Sequence, residues 1–164
     1  MTKNDSIALF QSLNRLGTLK GVKFAYGVSR NISLLKPEVE SLEKAAAVSE
    51  EYAEFEKARI ALVEKFAKKD DKGKFIKKSN NYEIEEGKQE ELDKEFEALK
   101  AENQKVFDAR LKQIEEYNEL LKTDSEVKLF KINLSDVPTD ISVSQMYSIS
   151  AIVDEDIPSP FQGK

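Results

Sequence analysis

The sequence predicts a mainly α-helical protein. The expected architecture is a long, coiled-coil-like antiparallel helical hairpin over residues 22–122 on a small base of short helices and one or two short strands. Three observations lead there. Apolar residues recur at three- and four-residue steps along two long stretches, separated by a turn-rich segment. Charged residues make up 35% of the 164 positions and apolar residues 40%, a balance that suits long solvated helices around a thin core. Near residue 126 the apolar period shortens from helical to alternating, so the end of the chain has a different architecture from its middle.

From the start of the chain, Asp5 or Ser6 is positioned to cap a first short helix whose apolar side is Ile7, Leu9, Phe10, Leu13 and Leu16, with Gly17 as its stop. A second helical pattern begins near Val22 and runs through Ala25, Val28, Ile32, Leu35, Val39 and Leu42. Pro37 lacks a backbone donor and disfavours helix at Lys36, which predicts a kink or a tight restart there. The stripe continues through Ala45, Val48, Tyr52, Phe55, Leu62 and Phe66. Asp70-Asp71-Lys72-Gly73 then reads as a turn, and residues 74–84 as a small β-hairpin or irregular tip.

The returning helix starts near Gly87-Lys88 and carries Leu92, Phe96, Leu99, Val106, Ile114, Tyr117 and Leu121, with Asn103 and Arg110 interrupting the seam. A chain reversal at the tip should bring Phe66 to Leu92, Leu62 to Phe96 and Tyr52 to Val106. Glu126–Ile132 alternates and is rich in β-branched and aromatic residues, so it is a strand candidate needing an edge partner, either in this chain or in a second copy. Ser142 and Gln145 form a capping-box pattern that opens a final short helix. Residues 1–155 are thus expected to make one elongated domain. Its hairpin is 22–122 with the tip at 70–87, its base is 1–21 with 123–153, and 154–164 is a loose tail. Phe10, Leu13, Phe24, Phe130, Ile132 and Ile149 are the expected shared core of the base.

Composition excludes several chemistries. The chain has no cysteine, histidine or tryptophan, which removes disulfides, thiolate catalysis, Cys/His zinc sites and every Ser-His or Cys-His nucleophile. A net charge of −5 is not the footprint of a dedicated nucleic-acid binder. No apolar run approaches the length of a membrane span, and the polar start is unlike a signal peptide, so a cytoplasmic, non-membrane protein is expected. Among six glycines there is no P-loop and no Gly-x-Gly fingerprint, so no cofactor is expected. Glu126-Val127-Lys128 has the Glu-x-Lys half of a nuclease metal centre but lacks an upstream acid on a neighbouring strand. The many adjacent carboxylates fit solvated helix faces, which makes a carboxylate-only metal hydrolase the weakest reading, and no catalytic or metal-binding residue is assigned.

Charge is least even around the tip. Lys68, Lys69, Lys72, Lys74, Lys77 and Lys78 crowd one stretch beside Phe75, and an acidic block follows from Glu83. Helix-end electrostatics would account for both blocks, with cations at one helix C-terminus and anions at the next N-terminus. The functional alternative is a docking tip for an acidic partner protein or, as a second reading, for nucleic acid. A second candidate patch lies at the base: Phe24, Tyr26, Arg30 and Asn31.

Three stretches carry a family resemblance. They are Gly21-Val22-Lys23-Phe24-Ala25-Tyr26 leading to Arg30-Asn31, the run Ala58–Asp70, and Glu126–Pro138. In order and spacing, across roughly Leu13 to Glu155, they resemble a family of small uncharacterised proteins encoded by tailed bacteriophages. The resemblance implies a phage or prophage origin and an accessory role in the host bacterial cytoplasm, or association with the virion, with a phage or host protein as partner. It supplies no catalytic residues. Together these readings predict an interaction protein (an assembly factor, adaptor or modulator of host machinery) rather than an enzyme.

Overall fold

A computed structural model describes residues 1–16, 19–79 and 81–154. It is mainly helical, with two small two-stranded sheets. In chain order the elements are α1 (Lys3–Asn14), α2 (Val22–Ala46), α3 (Glu50–Phe66), β1 (Lys77–Lys78), β2 (Asn81–Tyr82), α4 (Gln89–Glu102), α5 (Gln104–Lys122), β3 (Ile132–Asn133), α6 (Val143–Ile149) and β4 (Val153–Asp154). The chain divides into two compact units, one of Met1–Ala46 with Tyr117–Lys164 and one of Ala47–Glu116. The division does not follow the expected split of hairpin from base, because α2 belongs with the first unit.

In the first unit, α1 starts one turn earlier than the sequence suggests. Thr2, not Asp5 or Ser6, is the cap. Its hydroxyl accepts from Asp5 N–H at 3.2 Å while the Asp5 carboxylate accepts from Thr2 N–H at 2.8 Å. These hydrogen bonds hold the Asp5 carboxyl below its usual range, the backbone one foremost. Ser6 is buried instead.

Helix α2 runs through Pro37 without a restart, and the first arm breaks ten residues later, at 47–49, where Ser49 caps α3. Proline removes one donor from the α2 ladder, whereas Ser49 offers a hydroxyl to Tyr52 N–H at 3.2 Å and so opens a new helix at low cost.

The base core forms as expected in kind. Leu9, Leu13 and Leu16 pack with Phe24, Val28 and Leu35 of α2 and with Ile132, Ile149, Ile152 and Val153, while Phe10 and Phe130 sit half-buried at its margin. The strand, however, is far shorter than the Glu126–Ile132 run. Only Ile132–Asn133 forms a ladder, parallel to Val153–Asp154 of the same chain. The reason lies in Asn31, fully buried on α2, whose amide occupies the backbone groups of Phe130. The capping box at Ser142 and Gln145 opens α6 as its spacing predicts. Of the expected tail, Asp154 lies in β4 and 155–164 fall outside the described residues, as does the expected stop at Gly17.

In the second unit, α3 pairs antiparallel with α4 and the first part of α5: Lys65 with Glu95 at 2.6 Å, Phe55 with Phe107 at 6.4 Å between ring centroids, and Tyr52 beneath the Arg110 guanidinium at 5.7 Å. Tyr52 therefore meets Arg110, one turn past the expected Val106, and Leu62 and Leu99 line one shallow groove. The returning helix is also interrupted. Asn103 ends α4, and its side-chain amide donates to Leu99 C=O at 2.8 Å. The core here is thin: Phe55, Phe66, Ala67 and Leu92 are buried, and no residue of α5 is.

Candidate functional site

The tip of the second unit is a small folded module rather than a plain hairpin. Beyond Phe66, three extended segments close on one another through a ring of three backbone hydrogen bonds. Lys68 N–H donates to Glu83 C=O (2.7 Å), Glu83 N–H to Ile76 C=O (2.9 Å), and Ile76 N–H to Lys68 C=O (2.9 Å). Single bridges pair Ala67 with Ile84 and Lys69 with Phe75, and β1 pairs with β2.

The turn between the first two segments is held by Asp70, whose Oδ1 accepts from the N–H groups of both Lys72 and Lys74 at 2.9 Å. Gly73 takes φ 76 at the end of the turn that the sequence places at Asp70-Asp71-Lys72-Gly73. The Asp70 carboxylate is therefore engaged by the backbone and not by a lysine head.

The tip side chains fall into two sets. Phe75 and Tyr82 meet edge to face at 5.3 Å, with Lys69 over the first ring (4.9 Å) and Lys77 over the second (4.6 Å). The Tyr82 hydroxyl donates to Glu64 Oε1 at 2.7 Å, and that hydrogen bond raises the phenol pKa above its ordinary value. Phe75 is thus half-buried and already engaged, not a free anchor. Lys68 pairs with Glu83 at 3.3 Å, and Lys72, Lys74 and Lys78 present exposed side chains.

Helix-end electrostatics covers less of this charge than the sequence implies. Helix α3 ends at Phe66, so Lys65 alone stands in its last turn, and Glu90 and Glu91 alone stand in the first turn of α4. The dipole effect fades within one turn. Lys72, Lys74 and Lys78 lie beyond its reach.

The base patch does not assemble as four residues. Phe24 is 1% exposed in the core, and Asn31 is 0% exposed. Asn31 donates to Gly27 C=O (3.0 Å) and Phe130 C=O (2.8 Å) and accepts from Phe130 N–H (2.8 Å), so it works as a clamp rather than a contact surface. Tyr26 and Arg30 remain on the surface, joined by a hydrogen bond of 3.0 Å from Arg30 to the phenol oxygen.

Their third partner is Phe130, which meets the Tyr26 ring edge to face at 5.8 Å and lies under the Arg30 guanidinium at 4.9 Å. The sequence reading missed Phe130 as a surface partner. The available signal was the four-residue spacing of Val22, Tyr26 and Arg30, one face of α2, opposite the core face of Phe24, Val28, Asn31 and Leu35.

Among the described residues no group of three or more Asp or Glu side chains is placed to hold a metal ion, and no helix is long and apolar enough to cross a membrane. Comparison of the chain with protein-family models, with curated proteins and with solved structures gives no match.

Proposed function

We propose that this chain is a phage-encoded accessory protein that acts by binding another protein, with the tip module of the second unit as its contact surface. The observation that carries this reading is the position of Lys72, Lys74 and Lys78. They are exposed on a hydrogen-bonded module beyond the last turn of α3, where the helix dipole gives no reason for their charge. In this reading the antiparallel pairing of α3 with α4 and α5 is the stem of a long helical hairpin, and the closed ring of backbone bonds keeps the tip in one shape before contact. A preshaped surface loses little entropy on binding. Lysines on it would speed encounter with an acidic partner in the host cytoplasm.

The test starts from a partner captured by the full chain from a lysate of the bacterial host and then purified. Lys72, Lys74 and Lys78 are replaced by Gln together, and binding kinetics are measured at two salt concentrations. The triple variant should associate more slowly and with a flatter salt dependence, with little change in dissociation. Unchanged association would remove the tip from the reading. Binding of labelled DNA or RNA by the full chain, weakening steeply with salt and abolished in the same variant, would assign the tip to phosphate instead.

A further inference from the structure

The first unit carries a second surface, independent of the tip. Val22 and Tyr26 of α2 face Phe130 and Ile132 across a groove of about 350 Å³. Its walls are mostly apolar, and its rim is exposed: Val22 is 89% and Tyr26 57% accessible. A branched aliphatic residue left that open on the first turn of a long helix contributes nothing to the core.

Lys23, Lys131 and Asp136 line the groove, and Arg30 stands beside it over the Phe130 ring. Lys23 and Asp136 pair across one end at 3.1 Å and cancel. Arg30 and Lys131 do not cancel in the same way. Arg30 donates to the neutral Tyr26 phenol, and Lys131 to the backbone C=O of Ala151 at 2.9 Å. Each is held by a neutral oxygen and not by a carboxylate. The Arg30 guanidinium is also stacked on Phe130, which fixes its plane beside the apolar wall.

We infer that this groove binds an extended acidic peptide segment of a partner protein, with one apolar side chain of that segment seated between Val22, Tyr26, Phe130 and Ile132 and flanking carboxylates meeting Arg30 and Lys131. An apolar slot with a few fixed polar groups at its edge is the usual form of a small recognition site, and the volume suits one large aliphatic or aromatic side chain with its neighbours. Arg30 suits a carboxylate better than a point cation would, because the planar guanidinium offers parallel donors. A basic peptide would meet like charge at both rim cations.

The test uses random twelve-residue peptides displayed on a carrier and selected on the full chain. The winning sequence is then synthesised and measured against three folded variants. The expected winners carry one large apolar residue flanked by Asp or Glu. Tyr26→Ala should weaken the synthetic peptide by about tenfold, and the double change Arg30→Gln with Lys131→Gln by at least as much, as loss of a central anchor and of a charged contact each imply. The tip variant lacking Lys72, Lys74 and Lys78 should bind the peptide as the parent does, which separates failure of this inference from failure of the tip reading. Overturning results are selection of no peptide, selection of basic or uncharged sequences, or binding indifferent to Tyr26, Arg30 and Lys131. Single-stranded oligonucleotide binding that competes with the peptide and is lost in the same double variant would replace the acidic peptide with a nucleic acid.

Discussion

Asn31 offers the sharpest test of how the first unit is built. Its side chain makes three hydrogen bonds, two of which satisfy both backbone groups of Phe130 at 2.8 Å. In effect one amide replaces a neighbouring strand for one residue. Asn31→Leu preserves size and removes all three bonds. The Phe130 N–H and C=O are then left without partners in a partly buried setting. Each such group costs about 1–3 kcal/mol when buried, so two give about 2–6 kcal/mol, with the lower half expected because water reaches part of the segment. The added apolar contact of leucine returns about 1 kcal/mol, so a net loss of about 1–3 kcal/mol is expected, an appreciable share of a typical domain's stability. Because the chain has two compact units, a single melting curve would mix them, so hydrogen exchange read residue by residue is the appropriate assay. The Phe130 amide should lose protection first, with the core amides of Val28 and Ile132 following. The aspartate variant adds a check with a sign. An ionised carboxylate at residue 31 would face the Gly27 and Phe130 carbonyls without a proton to donate, so it should destabilise more at neutral pH than in acid. If Asn31→Leu leaves protection at Phe130 unchanged, the clamp is not what holds this segment.

Two further outcomes follow from packing and titration. A Cβ on Gly27 would stand 2.5 Å from Ile132 Cγ1 and 2.6 Å from its Cδ1, inside a buried β-branched side chain with little room to turn, so Gly27→Ala should lose roughly 1–2 kcal/mol, read by hydrogen exchange at the core amides of the first unit, even after the ~1 kcal/mol gained from helix propensity; a variant more stable than the parent would show that β3 can move aside. In the second unit, the Tyr82–Glu64 hydrogen bond raises the folded phenol pKa above its ordinary 10.0, so its contribution is complete below that value and is lost as pH rises through the folded one. Tyr82→Phe should therefore lower unit stability at about pH 8, with a difference that shrinks as pH rises above 10.0, and a difference that does not change with pH would refute the bond's role.

What the sequence conveyed well were features with a local cause. The capping box at Ser142 and the turn with positive φ at Gly73 need only neighbours a few residues away, and both stand where the residue types demand them. The base core was readable for the same reason in aggregate, since Leu13, Ile132 and Ile149 belong to strongly periodic or alternating runs, whereas the stripe read for α2 ran through Val22 and Ala25, which are exposed, and passed over the buried Phe24. Tertiary substitution was not readable. Glu126–Ile132 has the composition of a strand, and nothing in its own residues says that an asparagine nearly one hundred positions earlier will take its ladder bonds. The same residue misled the reading of the surface, because Asn31 beside Arg30 looks polar and available, while its helix phase puts it with Val28 and Leu35. At Pro37 the restart, one of the two expected outcomes, does not occur, and α2 continues. A proline inside a strong apolar stripe costs one donor, and the burial of Leu35 and Val39 on either side outweighs that loss.

The polar residues in the seam of the second unit show why its register was readable only to within a turn. A purely apolar seam would have aligned Tyr52 with Val106. The structure instead sets Tyr52 under Arg110, whose Nη1 donates to Gln113 at 2.8 Å, while Gln113 donates to the C=O of Ala47 at 2.9 Å. Ala47 lies in the stretch where the first arm leaves the helix, so its carbonyl is outside any helical ladder. An apolar residue at 113 would leave that carbonyl to water. A glutamine supplies the missing donor, and the arginine that holds the glutamine covers the aromatic ring one turn into α3. Interruption of the stripe on one arm thus answers interruption of the helix on the other. The two irregularities are far apart in the chain and adjacent in the fold, and the register that joins them is the one in which both are satisfied.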